Sequence, residues 1–238
     1  VLRSCMARGW NVASTCEELA YPWRNHPELA AALDAEAIAA GVTLVGTGIN
    51  PGFVLDTLIL AASTPCWNVR AVRGRRVLDA GTRRASFRQK VGVGMTQEEF
   101  RVAAEGAFGH AGLVDSAWLV ADRLNLHAEH AHEELEPELD SAGLVTGSRQ
   151  FASLSTADGR EVVRLEMVMV AGVPDPQDVI ELDSDPPIHL VLNGGVPGDA
   201  GTAGVLLNAA RRLADAAAGL RTMDELPIAC AVASEPAS

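Results

Sequence analysis

Two short apolar runs, separated by a segment long enough for a helix, constrain the fold of this chain most. They are "NVAST" (residues 11–15) and "VTLVGTG" (residues 42–48). Runs of this kind are typical of strands buried in a parallel sheet, and parallel neighbours need a crossover connection between them. The pattern therefore predicts a strand, a helix and a second, parallel strand.

The connecting helix carries its own start and stop signals. Pro27 suits a first helical turn, and Asn25 or His26 before it is a possible cap. Gly41 is placed to end the helix. The residues with helical spacing, which predict the buried face, are Leu29, Leu33, Ala37 and Ala40.

After Trp67 the pattern changes from continuous apolar runs to alternating polar and apolar residues. "NVRAVRGRRVLDAG" predicts a long strand of an antiparallel sheet, and further strands are predicted within residues 144–155, 160–170 and 188–193. Helices are predicted from Pro51 through "INPGFVLDTLILAAS", over about residues 97–124 and over about residues 202–218. We place the domain boundary near Pro65, with α/β structure in residues 1–65 and α+β structure, a mostly antiparallel sheet with flanking helices, in residues 66–238. The last helix is a candidate to pack back on the first domain.

The charge balance and the cysteines exclude several classes of function. With 19 basic and 31 acidic residues the formal net charge is −12, which argues against nucleic-acid and anionic-membrane surfaces and favours small-molecule partners. There is no apolar run long enough to span a membrane. The four cysteines show no C-x-x-C spacing, as expected for reduced thiols in the cytoplasm.

One cluster contains residue types that bind metals. It consists of His127, Glu129, His130, His132 and Glu133. No second group completes a ligand set, so no metal is expected. The chain does not begin with Met, and we expect it to be truncated at its front.

Two polar loops follow the two predicted parallel strands. They are "STCEE" and "GTGINPGF". Because ligands in open α/β sheets bind at the carboxyl ends of strands, the loops are expected to bring Glu17, Glu18, Asn50 and Phe53 to one cleft. The alternatives are an ordinary solvated loop for the glutamate pair and a turn with a helix cap for "INPGF".

Cationic side chains gather in "DAGTRRASFRQKVGVGMT", which predicts either a solvated strand face or a patch that binds a phosphate or a carboxylate. They are Arg83, Arg84, Arg88 and Lys90. The Gly-rich stretch "NGGVPGDAGTAG" lacks the Lys-Ser/Thr of a P-loop, and the chain contains no G-x-G-x-x-G.

Taken in order, these segments resemble the 2,4-diaminopentanoate dehydrogenase family, which is related to dihydrodipicolinate reductase and includes the native amine dehydrogenases. The resemblance runs from "NVASTCEELAYPWRNHPELAAALDAEAIAAGVTLVGTGINPGFVLDTL" through "LDAGTRRASFRQKVGVGMTQEEF" and "GHAGLVDSAWLVADRL" to "GGVPGDAGTAGVLLNAARRL" and "GLRTMDELP". It covers nearly the whole chain.

The resemblance implies an NAD(P)-dependent oxidoreductase in which residues 1–65 are the remaining part of a Rossmann domain and residues 66–238 form a substrate and dimerisation domain. Family members aminate a ketone or aldehyde with ammonia, or deaminate the amine in reverse. By this resemblance the catalytic acid/base is Glu17, with Glu18 as the alternative. Phe53 and Leu58 are assigned to the substrate pocket, and Thr15, Cys16, Asn50, Pro51 and Gly52 are assigned to the cofactor, NAD or NADP. The family's Gly-rich phosphate loop belongs to a first βαβ half that this sequence does not contain.

Three other functions remain open at this point. One is 2,4-diaminopentanoate dehydrogenase itself. Another is an imine reductase of the dihydrodipicolinate reductase type, which the absence of histidine between Val69 and Met95 disfavours. The third is a non-catalytic domain without cofactor binding. For the enzyme, the resemblance implies a homodimer, and the cysteine pattern indicates the cytoplasm.

Overall fold

The structure is a computed structural model and describes residues 1–106 and 108–233. Its helices are α1 (Leu2–Met6), α2 (Pro27–Ala40), α3 (Thr57–Ala62), α4 (Ala85–Lys90), α5 (Gln97–Ala104), α6 (Leu113–Arg123) and α7 (Gly198–Ala210). Its strands are β1 (Val12–Ser14), β2 (Thr43–Gly46), β3 (Asn68–Asp79), β4 (His130–Leu139), β5 (Val145–Ser155), β6 (Glu161–Val170), β7 (Gln177–Asp185), β8 (Ile188–Asn193) and β9 (Gly219–Arg221).

The chain divides into two compact units. The first unit contains Val1–Phe53 and the segment from Pro197 onward, and the second unit contains Val54–Val196. The first unit has a parallel sheet and the second a mixed sheet, each with helices, so the predicted fold class is confirmed. The assignment of a cofactor domain and a substrate domain on either side of Pro65 stays a prediction.

The first unit is built on a three-stranded sheet in the order β1-β2-β9, with both pairings parallel as predicted for the first two strands. Successive residues of β2 serve two separate cores. Leu44 packs with Leu33 and Ala37 of α2, whereas Val45 packs with Ala209 of α7. A strand that buries both faces in this way needs an apolar residue at every position, which is why its sequence is a continuous apolar run.

Helix α2 begins and ends where its sequence signals place it. Pro27 occupies the first turn, and Gly41 ends the helix with a left-handed φ of 66°. The predicted buried face is wrong in part, because Leu29 is 50% exposed and the buried stripe is formed by Ala30, Leu33 and Ala37. The stripe is shifted by one residue at its start, and small alanines let the helix approach the sheet closely.

The second unit is built on a six-stranded sheet in the order β4-β5-β6-β3-β7-β8. The β3–β6 pair is parallel and the other pairs are antiparallel. The predicted strands at β3, β5, β6 and β8 are confirmed. On β6, Val163, Leu165, Met167 and Met169 form the buried face, as predicted.

Three helices differ from their sequence predictions. Helix α3 begins at Thr57, not at Pro51, because Asp56 accepts a hydrogen bond from the Thr57 amide and caps it. The interval predicted as helical over residues 97–124 is divided into α5 and α6. The last helix begins at Gly198 and ends at Ala210, so two residues of its predicted stripe, Leu213 and Ala217, lie beyond it.

The cationic run also differs from its prediction. Arg83 and Arg84 lie in the connection before α4, and Arg88 and Lys90 lie within α4, so the run does not form a strand face. Arg83 stacks on the ring of Phe87 at 4.3 Å. Strand β3 ends at Asp79, whose carboxylate accepts hydrogen bonds from the Gly81 and Gly172 amides and turns the chain. The sequence pattern did not predict this strand end.

An ion pair is buried in the sheet of the second unit. Arg76 of β3 and Asp178 of β7 face each other with Nε and Oδ1 3.0 Å apart, and each residue is 1% exposed. Arg76 also donates to the Val196 carbonyl, and Asp178 accepts from the Val196 amide, both at 2.8 Å. Through these two hydrogen bonds the pair fixes Val196, the last residue of the second unit. Removing one partner of such a pair leaves the other as an uncompensated buried charge.

In the described part of the chain, none of the helices is both long and apolar enough to cross a bilayer.

Replacing Asp178 with Asn is expected to lower the free energy of unfolding by about 3–5 kcal/mol, because Arg76 then remains charged and buried without its counter-ion. The measurement is urea denaturation of the two proteins. The matched control is Asp183→Asn on the same strand, where the side chains of Arg70 and Asp183 are 40% and 62% exposed and no resolvable loss is expected. Equal stabilities of the two variants would contradict the role given to the buried pair.

Candidate active site

Strands β1 and β2 end side by side, and both polar loops leave from the same edge of the sheet. Ser14 and Gly46 form the last register pair, and the Thr47 amide extends the pairing by donating to the Ser14 carbonyl at 2.8 Å. Strand β9 is parallel to β2, so the segment after Arg221 leaves from this edge as well. We call it the carboxyl edge of the first unit.

Glu17, Glu18 and Leu19 form a 3₁₀ turn, separated from β1 by Thr15 and Cys16, which we call the acid turn. The amides of Cys16 and Leu19 hold it, donating to the Ser14 hydroxyl and the Cys16 carbonyl respectively, both at 3.1 Å. Leu19 is buried in the core of the first unit, whereas Glu17 is half-buried and Glu18 is exposed. The apolar residue therefore anchors the turn and leaves the carboxylates at the edge.

The two glutamates have different surroundings. The Cys16 thiol donates to the Glu18 carboxylate, with Sγ and Oε2 3.2 Å apart. Partial removal of the sulfur from water raises the pKa of the Cys16 thiol, although the residue as a whole is exposed, and the hydrogen bond and the negative charge of Glu18 raise it further. Thr15 and Cys16, both predicted to bind the cofactor, are exposed at the carboxyl edge.

The loop that follows β2, residues 47–53, is buried to an unusual degree for a loop. Asn50 is 9% exposed, Pro51 and Gly52 are buried, and Phe53 is half-buried. The Asn50–Pro51 peptide bond is cis. The Thr47 hydroxyl is buried, and its oxygen has no hydrogen-bond partner within the residues that the structure describes.

Two glycines bring backbone segments of this site into direct contact. A Cβ at Gly46 would lie 2.3 Å from the Leu19 carbonyl carbon and 2.4 Å from the Ala20 nitrogen. A Cβ at Gly52 would lie 2.4 Å from the Gly48 nitrogen, and the φ of Gly52 is 123°. Both positions therefore require glycine.

The structure brings most of the predicted site residues together at the carboxyl edge of one unit. They are Thr15, Cys16, Glu17, Glu18, Asn50, Pro51, Gly52 and Phe53. Leu58 belongs to the second unit, where it is half-buried on α3. Among residues 1–106 and 108–233, no group of three His, Cys, Asp or Glu side chains has the arrangement of a metal site.

Sequence reasoning missed Ser14 and Gly46 as parts of the site. The signal for Gly46 is a glycine inside an otherwise apolar strand, which often marks a close approach of backbone. Ser14 carries no comparable signal, because serine is common where a strand passes into a loop.

Replacing Glu18 with Gln is expected to lower the pKa of the Cys16 thiol and to speed its alkylation by iodoacetamide, because the negative charge beside the thiol is removed. Peptide mass spectrometry measures the rate at Cys16 alone, between about pH 7 and pH 10. The control is Glu17→Gln, which leaves the Cys16–Glu18 contact in place. If both variants are alkylated like the native protein, Glu18 does not govern this thiol.

Known proteins resemble this chain over most of its length. The model of the 2,4-diaminopentanoate dehydrogenase C-terminal domain matches residues 53–237. A 2,4-diaminopentanoate dehydrogenase from Acetoanaerobium sticklandii is 31% identical over 93% of this chain and 68% of its own length. The structure of an amine dehydrogenase from Mycobacterium smegmatis superimposes with a TM-score of 0.81 at 25% identity, over 97% of this chain and 72% of that one. The chain therefore belongs to the 2,4-diaminopentanoate dehydrogenase family, a family of oxidoreductases.

Proposed function

We propose that the protein is an NAD(P)-dependent amine dehydrogenase, which aminates a ketone or aldehyde with ammonia and catalyses the oxidative deamination in reverse. Its family supports a dehydrogenase, and its likeness to the mycobacterial enzyme supports an amine as substrate. The observation that carries the proposal is the acid turn, which places two carboxylates at the carboxyl edge of a parallel sheet, where α/β proteins bind their ligands.

A carboxylate at this edge suits both halves of the proton chemistry. It attracts ammonium and accepts its proton, so that neutral ammonia attacks the carbonyl carbon and forms a carbinolamine. The resulting carboxylic acid then donates that proton to the carbinolamine hydroxyl, which leaves as water and yields the iminium ion. One side chain therefore accepts the proton and returns it, and it ends the sequence as a carboxylate again.

We assign the role to Glu17 and keep Glu18 as the alternative. Glu17 is half-buried, and partial removal from water strengthens its interaction with a cationic nitrogen. Glu18 is exposed and accepts a hydrogen bond from the Cys16 thiol.

The carboxyl edge fits the nicotinamide end of a dinucleotide better than its phosphates. The turns that follow β1 and β9 contribute acidic groups, Glu17 and Glu18 in the first and Asp224 in the second, and acidic groups repel phosphate while favouring an oxidised, cationic nicotinamide ring. A bound nicotinamide supplies the hydride in reduction and accepts it in oxidation. We propose that Thr15, Cys16 and the 47–53 loop, through Asn50, Pro51 and Gly52, contact this end of the cofactor.

We propose Phe53 as a contact of the substrate and, as a separate proposal, Leu58 of the second unit; both apolar side chains are half-buried. A second candidate substrate is 2,4-diaminopentanoate itself, because the chain is 31% identical to an enzyme named for it. An imine reductase of the dihydrodipicolinate reductase type is disfavoured by the lack of histidine between Val69 and Met95.

We also propose a cytoplasmic homodimer. Free thiols support the cytoplasm, since all four cysteines are unbridged. For the dimer, the support is the charged face of the six-stranded sheet, where Arg75 pairs with Glu166 at 2.9 Å and His189 lies 3.7 Å from Glu181. A face with charges of both signs can pair with a second copy of itself.

The test of the activity is oxidation of NADH and of NADPH by the full-length gene product with a panel of ketones and aldehydes, each with and without excess ammonium. We expect oxidation that requires both carbonyl and ammonium. Oxidation without ammonium would indicate a carbonyl reductase, and activity confined to deamination of 2,4-diaminopentanoate would favour the second candidate. A protein that binds neither cofactor would be a non-catalytic domain.

Glu17→Gln is expected to reduce kcat for amination by about 10²–10⁴-fold, since the amide can neither accept nor return the proton. The dissociation constant for the cofactor, measured by fluorescence titration, should remain near the native value. The matched variant is Glu18→Gln, which is expected to keep most of the activity. The reverse result, with Glu18→Gln inactive and Glu17→Gln active, would move the assignment to Glu18.

A further inference from the structure

The contact at Gly46 joins two elements that the reaction needs in a fixed relation. Gly46 is the last residue of β2, and its Cα faces the peptide between Leu19 and Ala20 at the end of the acid turn. A Cβ there would also lie 2.6 Å from the Leu19 carbonyl oxygen. All three close atoms belong to the backbone, so no side-chain rotation can relieve the clash.

The same stretch of chain is packed from its other end by Gly52. A Cβ at Gly52 would lie 2.9 Å from the Cα and the carbonyl carbon of Thr47, in addition to its contact with Gly48. The acid turn, the residues that follow β2 and the Asn50–Gly52 turn therefore stack backbone on backbone. Such a stack has little freedom to move one loop without the other.

Ser14 completes the bracing from the neighbouring strand. Its carbonyl accepts from the Thr47 amide at 2.8 Å, and its hydroxyl accepts from the Cys16 amide at 3.1 Å. Ser14 is the register partner of Gly46. One residue pair thus fixes the start of the acid turn through a hydrogen bond and its end through close contact.

We propose that Gly46 and Ser14 are positioning residues for the reaction, which set where the acid turn holds its carboxylates relative to the 47–53 loop. The proposal rests on the proposed function, because it assumes that a carboxylate of the acid turn is catalytic. Neither residue is assigned to substrate or cofactor. They act through the backbone of the turn, and displacement of a catalytic group by about 1 Å can cost about 100-fold in rate.

The first experiment is Gly46→Ala, with Gly204→Ala as the matched control. Gly204 lies within α7 of the same unit, and nothing lies within 4 Å of a Cβ added there. For Gly46→Ala we expect a kcat for amination about 100-fold lower, a changed pH profile of kcat/KM and an unchanged dissociation constant for the cofactor. We expect Gly204→Ala to match the native protein in all three measurements.

A readout independent of activity is the alkylation of Cys16, which lies at the start of the acid turn. Displacement of the turn is expected to change the Cys16–Glu18 contact and with it the pH dependence of alkylation, measured by peptide mass spectrometry. A folded Gly46→Ala protein with native kcat, native pH profile and native alkylation would overturn the proposal.

If Gly46→Ala does not fold, variants of Ser14 test the proposal instead, since Ser14→Ala removes atoms and introduces no clash. Ser14→Ala removes the acceptor of the Cys16 amide, and Ser14→Thr keeps it. We expect Ser14→Ala to lower kcat and to shift the alkylation profile, and we expect Ser14→Thr to restore both. Equal behaviour of these two variants would overturn the proposal.

Failure of the proposed function gives a different pattern. If Glu17→Gln and Glu18→Gln both keep the native rate, the carboxylates are not catalytic, whatever Gly46→Ala does to Cys16. If the glutamate variants lose activity while the Gly46 and Ser14 variants keep it, the catalytic assignment holds and the positioning role is wrong.

Discussion

The backbone contact between Gly46 and the Leu19–Ala20 peptide is the constraint on which the rest of the site depends. It exists because β1 and β2 are parallel and end in register, so that the loops after them start from adjacent points. The buried side chain of Leu19 then draws the acid turn down onto the sheet, and only a residue without a Cβ at position 46 leaves room for it. The position of two carboxylates thus follows from one apolar anchor and one missing methyl group.

The arrangement of the first unit followed from its sequence because local and long-range signals agreed there. Pro27 and Gly41 fixed the ends of α2, and the apolar runs fixed β1 and β2. Strand β9 was missed because three residues carry no periodicity. The N-terminal end of α3 was misplaced because Pro51 resembles a helix start, whereas the true cap is the buried carboxylate of Asp56, which also binds the Ser116 hydroxyl at 2.9 Å.

The second unit was harder to predict where polar residues form strands. Strand β4, "HAHEELEPEL", is exposed along most of its length and contains Pro137, as edge strands often do. In strand β7, "QDVIELDSD", buried and less buried residues alternate, and Ile180 and Leu182 are on the buried face. The buried Asp178 resembles a loop residue in the sequence, because its partner Arg76 lies on another strand. Side chains that are paired across strands cannot be recognised from one strand alone.

Of the candidate site, the sequence supplied the residues and the parallel edge, while the proposed roles of Glu17 and Phe53 came from the family resemblance. The structure added what holds these residues, namely Ser14, Gly46 and the Cys16–Glu18 hydrogen bond. These contacts could not be read from the sequence, because each depends on the distance between two chain segments that only the folded sheet brings together. The loops themselves were predictable, since parallel strands must end at one edge.

The central claim is that a carboxylate of the acid turn moves the protons of amination and is not needed for hydride transfer. The direct test compares two reactions of the Glu17→Gln protein, amination of a carbonyl with ammonium and reduction of a preformed cyclic imine, each relative to the native protein. The account predicts that the first reaction is lost, because formation and dehydration of the carbinolamine need the carboxylate, and that the second is largely kept. Equal loss of both reactions, or equal retention of both, would contradict it.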